Sequence, residues 1–361
     1  MQKQEIRSKS EALRIFSAPD FRFPPLKLCV RSSKQPDTKP IVEVSNGAQS
    51  FQFAADYKER LTPGILDEIA WKSARSTAGH SPMILTSYLS ETNLQRLEQL
   101  QISALDLNGN GIVVVPNELF VLRSGRPNEY ALPQPSLNPY NGATSLVSRT
   151  LLLCDEFSTA KNLLLEAKQR GAGNLTLGTV SKALQTLEDD QIVSRKGRAI
   201  RLIDGGLLLD KLEQNFQPAK VLRSLRGKCS TEVLSRVFAQ ANDSEFRLTV
   251  TGKWSTQVYS AAARFGTISV YCSSIDRFLE IAGEQNFQED EFFPDIELLE
   301  TGDRTVFYDS RISEPPLRRW ASPIQTYLEL QTSRDKREQE TARQIKDAVW
   351  SDANNERTTQ E

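Results

Sequence analysis

The strongest constraint on this chain is the spacing of apolar residues in the segment Leu-Thr-Leu-Gly-Thr-Val-Ser-Lys-Ala-Leu-Gln-Thr-Leu-Glu-Asp-Asp-Gln-Ile-Val, residues 175–193. Leu177, Val180, Leu184 and Leu187 recur at i, i+3, i+7 and i+10. That spacing puts one stripe on the inner side of an α-helix and turns Thr179, Ser181, Lys182, Gln185 and Thr186 outward. Two helix patterns precede it, at 145–153 and at 158–170 with Ser158 as cap, and a Gly171-Ala-Gly-Asn174 turn leads into the third. After it, Ile192-Val193 and Ala199–Ile203 read as strands joined by the basic turn Arg195-Lys196-Gly197-Arg198. Two helices, a tight turn, a third helix and a basic hairpin, in that order, predict a winged helix-turn-helix.

In such a module Thr179, Ser181, Lys182 and Gln185 would meet base edges of double-stranded DNA in the major groove. Arg195, Lys196 and Arg198 would lie along the phosphates. Gly178 would let the backbone at the helix N-terminus come close to a phosphate, whose charge that terminus favours. The formal net charge of −1 gives no general attraction for nucleic acid, so the local pattern matters. Residues 193–201 hold Arg195, Lys196, Arg198 and Arg201 without an acid. Residues 289–303 hold Glu289, Asp290, Glu291, Asp295, Glu297, Glu300 and Asp303 without a base. Separate regions of opposite sign suggest one surface for phosphates and another for a protein partner or for solvation. The competing use of such a module is protein contact, against which the basic wing argues.

A chain of 361 residues exceeds one ordinary core. Its 39% hydrophobic and 25% charged content is that of a soluble globular protein. No apolar run reaches bilayer length and the N-terminus has no secretory signal pattern, so a cytoplasmic location without membrane association is expected. Cys29, Cys154, Cys229 and Cys272 stand far apart and His80 is the single histidine, in a Gly-His-Ser-Pro turn. Zinc sites, disulfide frameworks and a Ser-His-Asp triad therefore have no material. The expected fold class is α/β + α, in several parts. They are an extension at 1–39, a PD-(D/E)XK-like α/β domain at 40–130 and the winged helix-turn-helix at 144–213. A mixed α/β C-terminal domain at 220–350 and a disordered tail at 351–361 follow. Helices are predicted at 5–16, 62–78, 90–100 and 334–349, and strands at 41–44, 51–57, 83–86, 112–115 and 119–123; 17–40 reads as irregular and Pro-rich. Thr251-Gly-Lys-Trp-Ser-Thr256 lacks the upstream glycine of a phosphate loop and reads as a turn before a helix at 256–263.

The strand at 51–57 carries a second chemical pattern. Phe51, Phe53 and Ala55 alternate on one face, which leaves Asp56 and Lys58 together on the other. A metal-dependent phosphodiesterase needs carboxylates to hold Mg²⁺ and a lysine to position the attacking water. Asp56 is the candidate metal ligand, Asp37 and Glu43 are candidate upstream acids, and Glu68 and Lys72 lie one turn apart on the following helix. The alternative is a surface ion pair on an inactive scaffold.

Several segments together resemble one family. Ile102-Ser-Ala-Leu-Asp-Leu-Asn-Gly-Asn110 is similar to an Asp-Leu-x-Gly-Asn landmark of prokaryotic proteins related to AbiEi, the antitoxin and repressor of type IV abortive-infection systems. The likeness continues in Thr179-Val-Ser-Lys-Ala-Leu184, Leu248-Thr-Val-Thr-Gly252 and Ser322-Pro-Ile-Gln-Thr-Tyr327. The resemblance implies a restriction-endonuclease-like domain followed by a winged helix, repression by operator binding, and neutralisation of a toxin encoded alongside. The chain departs from the pattern in its elaborate N-terminal domain and in Asp56, where the family's motif usually has Glu. The expected function is a DNA-binding regulator of a phage-defence or mobile-element locus that needs no cofactor, with a homodimer suggested by the two-fold symmetric sites common for such regulators. The alternatives are a Mg²⁺-dependent endonuclease targeted by the winged helix, and an adaptor for a toxin or defence protein.

Overall fold

A computed structural model describes residues 4–5, 8–19, 21–31, 39–75, 80–131, 137–241, 246–259, 266–313 and 318–346. Asp37 and the tail at 351–361 lie outside the described residues, as does the end of the helix expected at 334–349, which is helical over 336–346. The chain is mixed α/β and divides into two compact units, 1–136 with 184–204, and 137–183 with 205–361.

The first unit is built on a seven-stranded sheet. Its strands are β1 (Lys27–Arg31), β2 (Ile41–Ser45), β3 (Ser50–Lys58), β4 (Ser81–Thr86), β5 (Ser103–Asp106), β6 (Gly111–Val115) and β7 (Leu119–Arg123), paired in chain order. The centre, β3-β4-β5, is parallel and both flanks are antiparallel. Parallel neighbours need crossovers, and α2 (Pro63–Arg75) and α3 (Glu91–Gln99) supply them. Helix α3 begins on Ser90, whose hydroxyl accepts the Asn93 N–H, as the sequence predicts. Leu66, Leu94 and Leu97 of these helices pack with Ile84, Ala104 and Ile112 on one sheet face. On the other face Ala12 and Phe16 of α1 (Lys9–Phe16) pack with Phe53, Met83, Leu85 and Leu105. Both faces of β4 and β5 are thus covered, which explains why Met83–Thr86 and Ser103–Asp106 are buried without alternation. Two strands of this sheet are missed by the pattern: β5, whose end reads as a turn, and β1, in the stretch expected to be irregular. Lys27-Leu-Cys-Val-Arg31 alternates, but Pro-rich flanks hide it until β2 offers an antiparallel partner.

The Asp106-Leu-Asn-Gly-Asn110 landmark is a buried knot at the end of β5. Asp106 Oδ1 accepts the backbone N–H of Asn108 and of Asn110, both at 2.8 Å. Its Oδ2 accepts Leu89 N–H at 3.0 Å and Asn110 Nδ2 at 2.8 Å. Burial pushes the carboxyl upward from its ordinary range, while these four donors pull it back. Asn110 in turn holds the Arg126 backbone through both ends of its amide, and Asn108 accepts Glu129 N–H. Asp106, Asn108 and Asn110 together therefore tie three loops.

The second unit contains α4 (Ser145–Leu153), α5 (Ala160–Gln169), α7 (Gly205–Asn215) and a second seven-stranded sheet. Residues 177–183 of α6 (Leu177–Asp189) belong to it, and the rest of α6 to the first unit. Helix α5 starts at Thr159 rather than Ser158: Thr159 Oγ1 accepts Asn162 N–H, and Ser158 instead accepts the Asn162 amide. The first unit's hairpin strands are β8 (Val193–Lys196) and β9 (Ala199–Leu202). The second sheet comprises β10 (Arg223–Cys229), β11 (Leu248–Val250), β12 (Ile268–Cys272), β13 (Phe287–Glu289), β14 (Ile296–Glu300), β15 (Arg311–Ser313) and β16 (Arg318–Trp320). Their order is β13-β10-β14-β12-β11-β16-β15. Val237 and Phe238 of α8 (Thr231–Gln240) and Phe278 of α9 (Ile275–Ala282) pack on Val250, Val270, Ile296 and Leu298.

A buried polar chain runs through this unit. Arg149 of α4 donates to Gln325 Oε1 at 2.7 Å, and Gln325 donates to Glu329 Oε1 at 2.7 Å. Glu329, in α10 (Pro323–Gln331), also accepts the Thr251 hydroxyl and, at 3.0 Å, Gly252 N–H. Burial lowers Arg149 to about 10 and pushes Glu329 upward. The segments 248–252 and 322–327, singled out by sequence likeness, thus meet as a structural joint. Gly252–Val258 forms a 3₁₀ turn, not a phosphate loop, and residues 260–263 of the helix expected there lie outside the described residues.

Candidate nucleic-acid interface

Helix α6 starts where Thr176 Oγ1 accepts Thr179 N–H at 3.2 Å. Val180, Ala183, Leu184 and Leu187 are buried, as the periodicity requires. Leu177 departs from the stripe and is 47% exposed, because it stands in the first turn, before the stripe meets its neighbours. Ser181 and Lys182 are exposed, whereas Thr179 and Gln185 are half-buried. The Thr179 hydroxyl shares a hydrogen bond with Thr176 Oγ1 at 2.9 Å.

Two of the residues expected to touch DNA are engaged within the first unit. The Gln185 carboxamide oxygen accepts two guanidinium N–H groups of Arg60, which also pairs with Asp189 at 3.0 Å. Arg195 grips Glu188 Oε2 through both Nη2 and Nε, the latter at 2.8 Å. Arg195 thus fastens the hairpin to α6 instead of standing free at its tip. Asp189 is raised to about 6, chiefly by burial, with Asp190 and Glu188 adding and Arg60 opposing. The end of α6 therefore gathers Glu188, Asp189 and Asp190, a set of acids hostile to phosphate.

The hairpin tip is the cationic part. Strands β8 and β9 pair from Val193↔Leu202 to Lys196↔Ala199 around the two-residue loop Gly197-Arg198. Gly197 has φ +63°, and glycine at the first central position suits a type II′ turn, whose twist matches the strands. Lys196, Arg198 and Arg201 are exposed and form no salt bridge among the described residues. Arg201 was legible as part of the basic run, but its outward position depends on its pairing opposite Ser194.

In the first unit, Asp56 lies 3.1 Å from Lys58 and 3.7 Å from Lys9. A cavity of about 240 Å³ is lined by Asp56, Lys58, Glu68, Lys39 and His80. Glu43 is not brought to it. That carboxylate bonds Arg31 at 2.7 Å and Ser50 at 2.8 Å, opposite Gln52 and four residues, or about 13 Å, along the strand from Asp56. Among the described residues no three His, Cys, Asp or Glu side chains are placed to share a metal ion. Asp56 and Glu68 are the carboxylates that line this cavity among the described residues, and Asp37 lies outside them.

Comparison with protein-family models, curated proteins and solved structures gives no match. No helix among the described residues is long and apolar enough to cross a membrane.

Proposed function

We propose that this protein is a sequence-specific double-stranded DNA-binding regulator of the antitoxin-repressor kind. In this reading α5, the turn and α6 are a helix-turn-helix with β8–β9 as its wing, and the N-terminal unit is a PD-(D/E)XK-like scaffold that does not cut. The observation that carries it is the hairpin tip. Three exposed cations without an ion-pair partner among the described residues stand on a chain whose net charge is −1. Desolvating them against phosphates breaks no existing pair, and each contact releases counterions. The exposed Ser181 and Lys182, near the start of α6, are where a recognition helix meets bases. Gln185 and Arg195 are reassigned to holding the module together. The landmark segments support a role in a phage-defence or mobile-element locus.

Selection of binding sites from randomised duplexes with the full chain tests this. One enriched motif is expected. Lys182→Ala should weaken it by about 5- to 150-fold and relax its sequence preference, the cost of about 1–3 kcal/mol for a lost base contact. Arg198→Ala should weaken selected and scrambled duplexes alike and lower the salt slope by about 1. Absence of any enriched motif, or full affinity in both variants, would refute the proposal.

A further inference from the structure

The most exposed large apolar side chains among the described residues are Phe292 and Phe293, at 87% and 78%. They sit on the turn between the edge strand β13 and β14, and that turn is pinned. Asp290 Oδ1 accepts the backbone N–H of Phe292 at 3.0 Å and of Phe293 at 2.8 Å. Lys228 of β10 pairs with Asp290 at 2.9 Å. Asp290 N–H donates to Arg226 O at 3.1 Å, and Asp295 N–H to Gly227 O at 2.9 Å, so both ends of the turn are fastened to β10. The backbone that carries the two rings is thus ordered before any partner arrives.

We infer that Phe292 and Phe293 are a preorganised docking knob for a protein partner presenting an apolar pocket rimmed by lysine and arginine. Aromatic rings in a desolvated pocket are the usual energetic centre of a protein interface. A fixed turn removes part of the ordering cost that a floppy loop would incur. The flanking charge selects the partner. Glu289, Glu291 and Asp295 are exposed and form no salt bridge among the described residues. The nearby cations Arg226 and Lys228 are already paired, with Glu297 and Asp290. An acidic collar around two rings attracts a cationic rim and repels nucleic acid phosphates and anionic membranes. This knob belongs to the C-terminal sheet and uses none of the residues assigned to DNA.

The test is panning of a random peptide library displayed on phage against the full chain, with the Phe292→Ser/Phe293→Ser chain as counter-target. Enriched peptides should carry an apolar residue flanked by Lys or Arg. A synthetic peptide of that sequence should lose about tenfold or more in affinity for the double variant. Raising the ionic strength should weaken it further. The double variant should keep the wild-type melting temperature, since both rings face solvent. Failure to enrich any peptide, or enrichment of peptides that bind both chains equally, would overturn the inference. So would a double variant whose lost affinity is for a single-stranded oligonucleotide or for phosphatidylcholine vesicles.

Discussion

Replacing Asp106 by Asn keeps the shape of the side chain and removes one acceptor oxygen from the knot that ends β5. Each carboxylate oxygen receives two donors, so neither orientation of an amide serves all four. Whichever side the new NH₂ takes, two N–H groups lose their acceptor and face a donor. Turning the Asn110 amide to compensate would break its two bonds to the Arg126 backbone. A buried donor left unsatisfied costs roughly 1–3 kcal/mol. Relief from burying a charge, the cause that raises the Asp106 carboxyl, offsets part of this. The net expectation is a loss of about 2–4 kcal/mol, against a total near 5–15 kcal/mol for an ordinary domain. Urea unfolding measures the loss. Hydrogen exchange locates it, because the amides of Leu89, Asn108 and Asn110 should exchange about 30- to 1000-fold faster. An Asn variant within about 0.5 kcal/mol of wild type, with unchanged exchange at those three amides, would show that the carboxylate does not hold the loops.

Two further substitutions test the proposed DNA-binding role of α6 and the acids at its end. Gly178→Ala adds a methyl whose nearest neighbour is Thr176 Oγ1 at 3.8 Å, so it should raise thermal stability by up to ~1 kcal/mol. The same methyl should hold a phosphate away from the start of α6 and weaken the selected duplex by about three- to tenfold; unchanged affinity would place the phosphate elsewhere. Asp189 is raised from 3.8 to about 6, so the fold favours its protonated form. That contribution is fully present below the unfolded value and is lost as pH rises through about 6. Asp189→Asn should therefore be no less stable than wild type at pH 7, despite losing the Arg60 pair, and its stability should vary less with pH between 4 and 7. Denaturant midpoints across that range check it, and a clear loss at pH 7 would refute it.

Periodicity was enough to mark many of the first unit's helices and strands and the stripe of α6, though not β1 or β5. The stripe of α6, the hairpin β2–β3, the Ser90 cap and the alternation that sets Asp56 beside Lys58 are all local patterns. Each depends on residues a few positions apart, where backbone geometry leaves little choice. The tertiary structure decided the employment of the polar side chains. Gln185 and Arg195 face outward by helix and hairpin geometry, yet Arg60 and Glu188 take their hydrogen-bonding groups. Glu43, expected near Asp56, is held away by strand register and by Arg31. The Asp-Leu-Asn-Gly-Asn run was visible as a landmark, but only the approach of the 87–89 and 126–129 loops makes it a knot. Likewise, Arg149 and Glu329 become one buried chain only when α4, α10 and the Thr251 turn pack together. A hydrogen bond between distant segments follows from packing, and packing has no period to read in advance.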